Sequence, residues 1–212
     1  MVNRFESRAI SLALLFFLAS ALFLPLSSYA SQGKEGEPEV EAKPTEVKLH
    51  DLELLDQDGR KVRFRSDVVG DRIVVIDTFF TTCGLICPIL SAIFADVQEQ
   101  LGDRLGKEVV LVSISVDPGT DIPPRLKEFA VTWEARPGWV FLTGEKLKVD
   151  RVLSGLGLYS SDFTAHPAAF LVGDGKNGGW SRFYGFATPE QILGSVDELT
   201  EARKPKTSAI DR

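Results

Sequence analysis

Cys83 and Cys87 stand four residues apart in Thr81-Thr82-Cys83-Gly84-Leu85-Ile86-Cys87-Pro88, and they are the only cysteines in the 212-residue chain. They come directly after the run Ile73-Val74-Val75-Ile76-Asp77-Thr78-Phe79-Phe80. A β-branched run that breaks at Thr82-Cys83-Gly84 and continues into an apolar stretch predicts a buried strand that delivers both sulfurs to the start of a helix. The unpaired N–H groups and the positive end of the helix dipole favour thiolate over thiol there. Residues at i and i+4 of a helix share one face, with Cβ atoms roughly 5–6 Å apart. A modest adjustment would then let the two sulfurs share a metal ion or close a disulfide. Two thiolates suit copper(I) or zinc, and an imidazole would complete a three- or four-coordinate site.

The chain offers two imidazoles, His50 and His166. His50 falls at an alternating position of an amino-terminal hairpin, where solvent is the expected neighbour. His166 stands in Asp162-Phe163-Thr164-Ala165-His166-Pro167, a loop entering a strand, where a side chain can be aimed at a site. Asp117 ends a second strand, a position suited either to an outer role at the site or to capping the Pro118-Gly119 turn. Trp133, Trp139 and Trp180 are expected to anchor packing. Arg182 is read as a surface strand residue that could meet an acidic partner.

The elements that must position these groups can be read from hydrophobic period. Residues 47–55 and 61–64 alternate across Asp56-Gln57-Asp58-Gly59 and predict a short antiparallel hairpin. Residues 73–80 and 109–116 read as buried strands, and Ile89, Leu90, Ile93, Phe94, Val97 and Leu101 recur at helical spacing over 86–101. A helix starting at Pro123 or Pro124, a strand at 139–142, a helix at 145–156, a strand pair at 168–172 and 180–184, and a final helix at 189–202 complete the pattern. Strand, helix, strand, helix, then a hairpin and a helix describe an α/β fold with a central mixed sheet flanked by helices.

Arg4 and Arg8 precede an apolar stretch of residues 9–26, and Ser28-Tyr29-Ala30 offers the small residues read by a signal peptidase. Residues 1–30 therefore read as a signal peptide or, at this length, a retained membrane anchor. Either places the remainder of the chain in an extracytoplasmic compartment, the periplasm if the cell is bacterial. Residues 31–48 are rich in Gly, Pro, Glu and Lys and read as a flexible linker. Residues 49–202 form one domain, and 203–212 a polar, frayed tail. Removing residues 1–30 takes away Arg4, Arg8 and Glu6 and leaves 22 basic against 29 acidic residues. An acidic domain is a poor nucleic-acid binder, so no such partner is expected.

The segments Phe79 to Pro88, Val112-Ser113-Ile114-Ser115-Val116-Asp117-Pro118, His166, Phe170-Leu171-Val172-Gly173 and Trp180-Ser181-Arg182-Phe183 together resemble the Sco/SenC family of copper-binding assembly proteins. The resemblance implies a thioredoxin-like fold, with the amino-terminal hairpin as an extension, and one copper ion, Cu(I) or Cu(II), held by Cys83, Cys87 and His166. It implies a copper chaperone rather than an enzyme, acting in maturation of the binuclear copper centre of cytochrome c oxidase. The implied partners are cytochrome c oxidase subunit II or another copper protein, and a thiol reductant or copper donor protein. The alternative is a thiol–disulfide oxidoreductase in which Cys83 and Cys87 form a redox-active disulfide, although three intervening residues are one more than that activity usually shows. A peroxidase fits poorly, because Phe80 stands where a threonine is expected. Gly84 and Leu85 replace the Pro and Asp common in the family. Pro167 lies one residue nearer the histidine than the family pattern, at a place where thioredoxin-like folds carry a cis-proline.

Overall fold

The computed structural model describes residues 40–205. The expected signal or anchor, the first part of the expected linker and the end of the tail lie outside the described residues. No helix among the described residues is long and apolar enough to cross a membrane.

In chain order the domain runs through β1 (Lys43–Pro44), β2 (Glu53–Asp56), β3 (Lys61–Arg63), β4 (Ile73–Phe79), α1 (Ile86–Leu101), β5 (Val109–Ser115) and α2 (Pro123–Thr132). It continues through β6 (Trp139–Thr143), α3 (Lys146–Leu156), β7 (Ala169–Asp174), β8 (Trp180–Tyr184) and α4 (Pro189–Ala202). The strands form one mixed sheet in the order β1-β8-β7-β4-β5-β6-β2-β3. β4, β5 and β6 are parallel neighbours, and every other pairing is antiparallel.

β4 and β5 are buried along their whole length because both faces of the sheet are covered, which is why their sequences are nearly continuous apolar runs. Ile73, Val75 and Phe79 of β4 pack with Leu90, Phe94, Val97 and Leu101 of α1, together with side chains of α2 and α4. Val74 and Ile76 face the opposite layer, built from α3 and the π-helical turn Phe64–Val69. The strand's period of two thus feeds two cores. α2 begins on Pro123 and Pro124, whose missing N–H groups are no loss at a helix start. α4 begins with a capping box between Thr188 and Gln191, and α3 stops at Gly157, whose φ of 67° suits a residue without Cβ.

This is the expected thioredoxin-like sandwich, with the β2–β3 hairpin continuing the sheet beyond β6. Two boundaries differ from the sequence reading. β1 pairs with β8 inside the stretch read as linker, and Gln191 Nε2 donates to the Val40 carbonyl, so ordered structure begins before residue 48. Arg203, read as tail, donates through Nε and Nη2 to buried Asp174, 2.8 and 2.6 Å. Composition describes those segments correctly as polar; the edge strand β8 and the Asp174 carboxylate give them partners that composition cannot show.

Candidate functional site

β4 ends at Phe79, and the chain turns over residues 80–83, closed by a bond from Cys83 N–H to the Phe80 carbonyl at 3.1 Å. α1 begins at Ile86, with Leu85 as the preceding cap at φ −128°. Cys87 is therefore in the first turn of α1, whereas Cys83 lies in the loop before it. The expectation that both sulfurs occupy one helical face is corrected: Leu85 is not helical, and the turn at 80–83 reverses the chain first. The two residues still meet, because the Cys87 backbone N–H, one of the unpaired donors of the helix start, donates to Cys83 Sγ at 3.4 Å.

Both cysteines are free thiols, and they are unequal. Cys83 is partly exposed and Cys87 is fully buried. Burial opposes ionisation of Cys83, but the Cys87 thiol and the backbone N–H groups of Leu85, Cys87 and Ile86 together hold its pKa below the ordinary thiol value. Burial pushes the Cys87 thiol up, and Cys83 and the Asp77 carboxyl push it further against a smaller opposing contribution from the Phe80 backbone.

His166 comes after a short 3₁₀ turn, Phe163–Ala165, and its own backbone is extended, at φ −62° and ψ 143°, as a residue before proline prefers. The described chain has no cis peptide bond, so the expected cis-proline at Pro167 is corrected to trans. An extended His166 already leads the chain into β7. The His166 side chain is buried at 6% exposure, and burial lowers its pKa. Its Nδ1 shares a hydrogen bond with Thr78 Oγ1 at 3.1 Å, and its Nε2 lies 3.9 Å from Cys87 Sγ. With the proton on Nδ1, the Nε2 lone pair faces the thiol. Phe80 stands edge-on to both His166 and Phe163, which seats the loop on the end of β4.

The structure therefore brings Cys83, Cys87 and His166 to the carboxyl ends of the parallel strands. Among the described residues, no three His, Cys, Asp or Glu side chains are already drawn together tightly enough to hold a metal. The donors nevertheless suit a soft cation: two sulfurs and one neutral imidazole nitrogen, with the imidazole held from behind by a hydroxyl. His50 is remote from them. It packs beside Gly155 of α3, with Lys48 and Arg151 near it.

Three residues of the site escaped the sequence reading. Thr78 is the hydroxyl behind His166. Asp77 is completely buried, neither carboxyl oxygen has a hydrogen-bond partner, and burial pushes its pKa up to about 7, only partly offset by nearby Ser113. Asp121, also completely buried, accepts from Thr81 N–H and Ser115 Oγ and so holds the outer position at the site, one of the two roles open to Asp117. The Asp117 carbonyl instead accepts from Thr120 and Asp121 N–H, closing its turn. A carboxylate within an otherwise apolar strand run was the one available signal, at Asp77.

The SCO1/SenC family model matches residues 40–201. The SCO1 protein homolog of Bacillus subtilis (strain 168) is 33% identical over 102 residues, covering 48% of this chain and 51% of that protein. The match thus spans about half of that relative's length. Among solved structures, BsSco, a member of the Sco family of cytochrome c oxidase assembly proteins with an identified disulfide switch, superimposes with a TM-score of 0.64 at 23% identity, covering 77% of this chain and 99% of that one. Arabidopsis thaliana ScoI with copper bound superimposes with a TM-score of 0.59 at 20% identity, covering 76% and 98%. At these identities the structural likenesses establish the fold.

Proposed function

The chain belongs to the SCO1/SenC family, and from that premise we propose that it is an extracytoplasmic copper chaperone whose cargo is held by Cys83, Cys87 and His166. The observation that carries the reading is the approach of His166 Nε2 to Cys87 Sγ at 3.9 Å, with Thr78 fixing the far nitrogen. Two sulfur donors retain copper(I), and the added imidazole keeps copper(II) accessible. Cys83, the partly exposed member, is the donor that a recipient protein can reach first. Exchange would then proceed from the rim inward, with Cys87 and His166 holding the ion from below. The proposed recipient is the binuclear copper centre of cytochrome c oxidase subunit II. The proposed tether is the amino-terminal apolar segment.

Copper titration monitored by absorption and electron paramagnetic resonance tests this on wild type, Cys83→Ser, Cys87→Ser and His166→Ala. The expected result is one copper per chain with sulfur-to-copper charge transfer, lost in either serine variant and changed without the imidazole. Stoichiometric copper with unchanged spectra in all three variants would overturn the ligand set.

The inequality of the thiols also favours a second activity, reduction of a partner's disulfide. The Cys83 thiolate attacks one sulfur of that disulfide and one substrate thiolate leaves. Cys87 then gives up its proton and attacks Cys83 Sγ, and the second substrate thiolate leaves. The Cys83–Cys87 disulfide forms as two electrons pass to the substrate, whose thiolates take up the protons released. A reductase rate unchanged by His166→Ala but abolished by Cys83→Ser is the signature of this activity. The oxidised pair lacks both thiolates, so redox state gates copper loading.

A further inference from the structure

We propose that the buried carboxylate of Asp121 is the positioning residue of the cysteine loop, fixing the turn that carries Cys83 and so the spacing of the two sulfurs. The inference deepens the proposed function and rests on the dithiol being its working part. Asp121 is 0% exposed, and its hydrogen-bond donors are all neutral. Thr81 N–H lies 3.2 Å from each of its oxygens, Thr81 Oγ1 donates to Oδ1 at 2.5 Å, and Ser115 Oγ donates to Oδ2 at 2.6 Å. Burying a carboxylate without a cation is unfavourable unless its lone pairs are filled by well-placed donors. Here they are filled by the end of β5 on one side and by the cysteine loop on the other.

The loop has few other restraints. From Thr82 to Leu85 it is largely exposed, Leu85 at 75%, and it is held by the bond from Cys83 N–H to the Phe80 carbonyl and by that from Cys87 N–H to Cys83 Sγ. Thr81 is the second residue of that turn, so pinning both its N–H and its hydroxyl fixes the plane from which Cys83 departs. Ser115 Oγ accepts in turn from Asp117 N–H at 3.1 Å, which ties the tether to the β5–α2 turn. A carboxylate 40 residues from Thr81 in sequence thereby sets where the more reactive sulfur sits. Releasing it lowers the effective concentration of Cys83 at Cys87, for closing a disulfide and for chelating a metal alike.

The test uses the full chain with Asp121→Asn, Thr81→Val and the conservative Thr81→Ser. The Cys83–Cys87 reduction potential is measured without copper, by equilibration in a glutathione buffer and mass spectrometry of the trapped thiols; copper(I) affinity is measured separately by competition with a chelator. Asp121→Asn presents an amide donor to the Thr81 and Ser115 donors. It is expected to lower the disulfide-forming equilibrium about tenfold, which for this two-electron couple makes the potential about 30 mV less negative. Thr81→Val should shift it in the same direction and Thr81→Ser should restore it. A merely structural Asp121 would lower the melting temperature of folded variants and leave potential and copper affinity at wild-type values, and that result overturns the proposal. If Asp121→Asn does not fold, the threonine pair decides: equal potentials in valine and serine variants also overturn it. Wild type that binds no copper would refute the chaperone reading, while the copper-free potentials still judge the tether.

Discussion

Replacing Asp77 with Asn should make the protein more stable relative to wild type as the pH rises. Asp77 lies in β4, is completely buried, and has no hydrogen-bond partner for either oxygen, so only nearby Ser113 and the local backbone offset part of the cost of a charge there. Burial raises its pKa from 3.8 to about 7. A carboxyl whose folded pKa exceeds its unfolded value contributes stability that is fully present below about pH 3.8 and is lost as pH rises through 7. A displacement of about three units at 1.36 kcal/mol each gives roughly 4 kcal/mol over that window. Asparagine keeps the shape and never ionises, so its stability lacks this slope. Urea unfolding of both proteins between pH 4 and 8, with reductant and chelator present, reads the difference directly. The Asp77→Asn minus wild-type gap should move in favour of the variant by about 4 kcal/mol, steepest between pH 4 and 7. Parallel stability profiles would refute the reasoning, because they would mean that Asp77 reaches water or a donor in solution. The variant should also ease ionisation of Cys87, since the Asp77 charge is one of the influences that raise that thiol.

Arg203→Ala removes the ion pair to buried Asp174, whose pKa Arg203 and the turn amides hold at about 2 against the opposing effect of burial. The expected loss is about 2–3 kcal/mol at neutral pH. In wild type this contribution is present above pH 3.8 and fades as the pH falls through 2, so the two unfolding curves should converge in acid. Iodoacetamide treatment and peptide mass spectrometry should show Cys83 labelled well before Cys87 under native conditions, because only Cys83 combines exposure with a lowered pKa; equal rates would contradict the described burial. Thr78→Val leaves His166 Nδ1 without its hydroxyl partner and should weaken copper binding about 10- to 100-fold in a competition titration. Wild-type affinity there would show that Phe80 and the loop backbone suffice to hold the ring.

Local pattern made much of this protein legible. The β-branched runs of β4 and β5, the helical spacing of Leu90, Phe94, Val97 and Leu101, and the turn at Asp58-Gly59 reflect periods that the backbone imposes within a few residues. The same locality placed Cys87 at a helix start and His166 on a loop before a strand. It missed β1, since an edge strand of two polar residues has no period, and the shared helical face it lent the two cysteines does not apply, because Cys83 precedes the start of α1 by three residues. The tertiary structure decided which side chains meet. The order β8-β7-β4-β5-β6 lays β7 beside β4, so Thr78 touches a histidine 88 residues away, and lays β5 beside β4, so Asp121 reaches Thr81 across 40. Strand order depends on how whole layers pack, and no residue's own neighbours encode it. The two cysteines and the histidine could therefore be named from the chain, while Thr78, Asp77 and Asp121, which set their orientation, electrostatics and spacing, emerged only when the sheet brought the strand ends together.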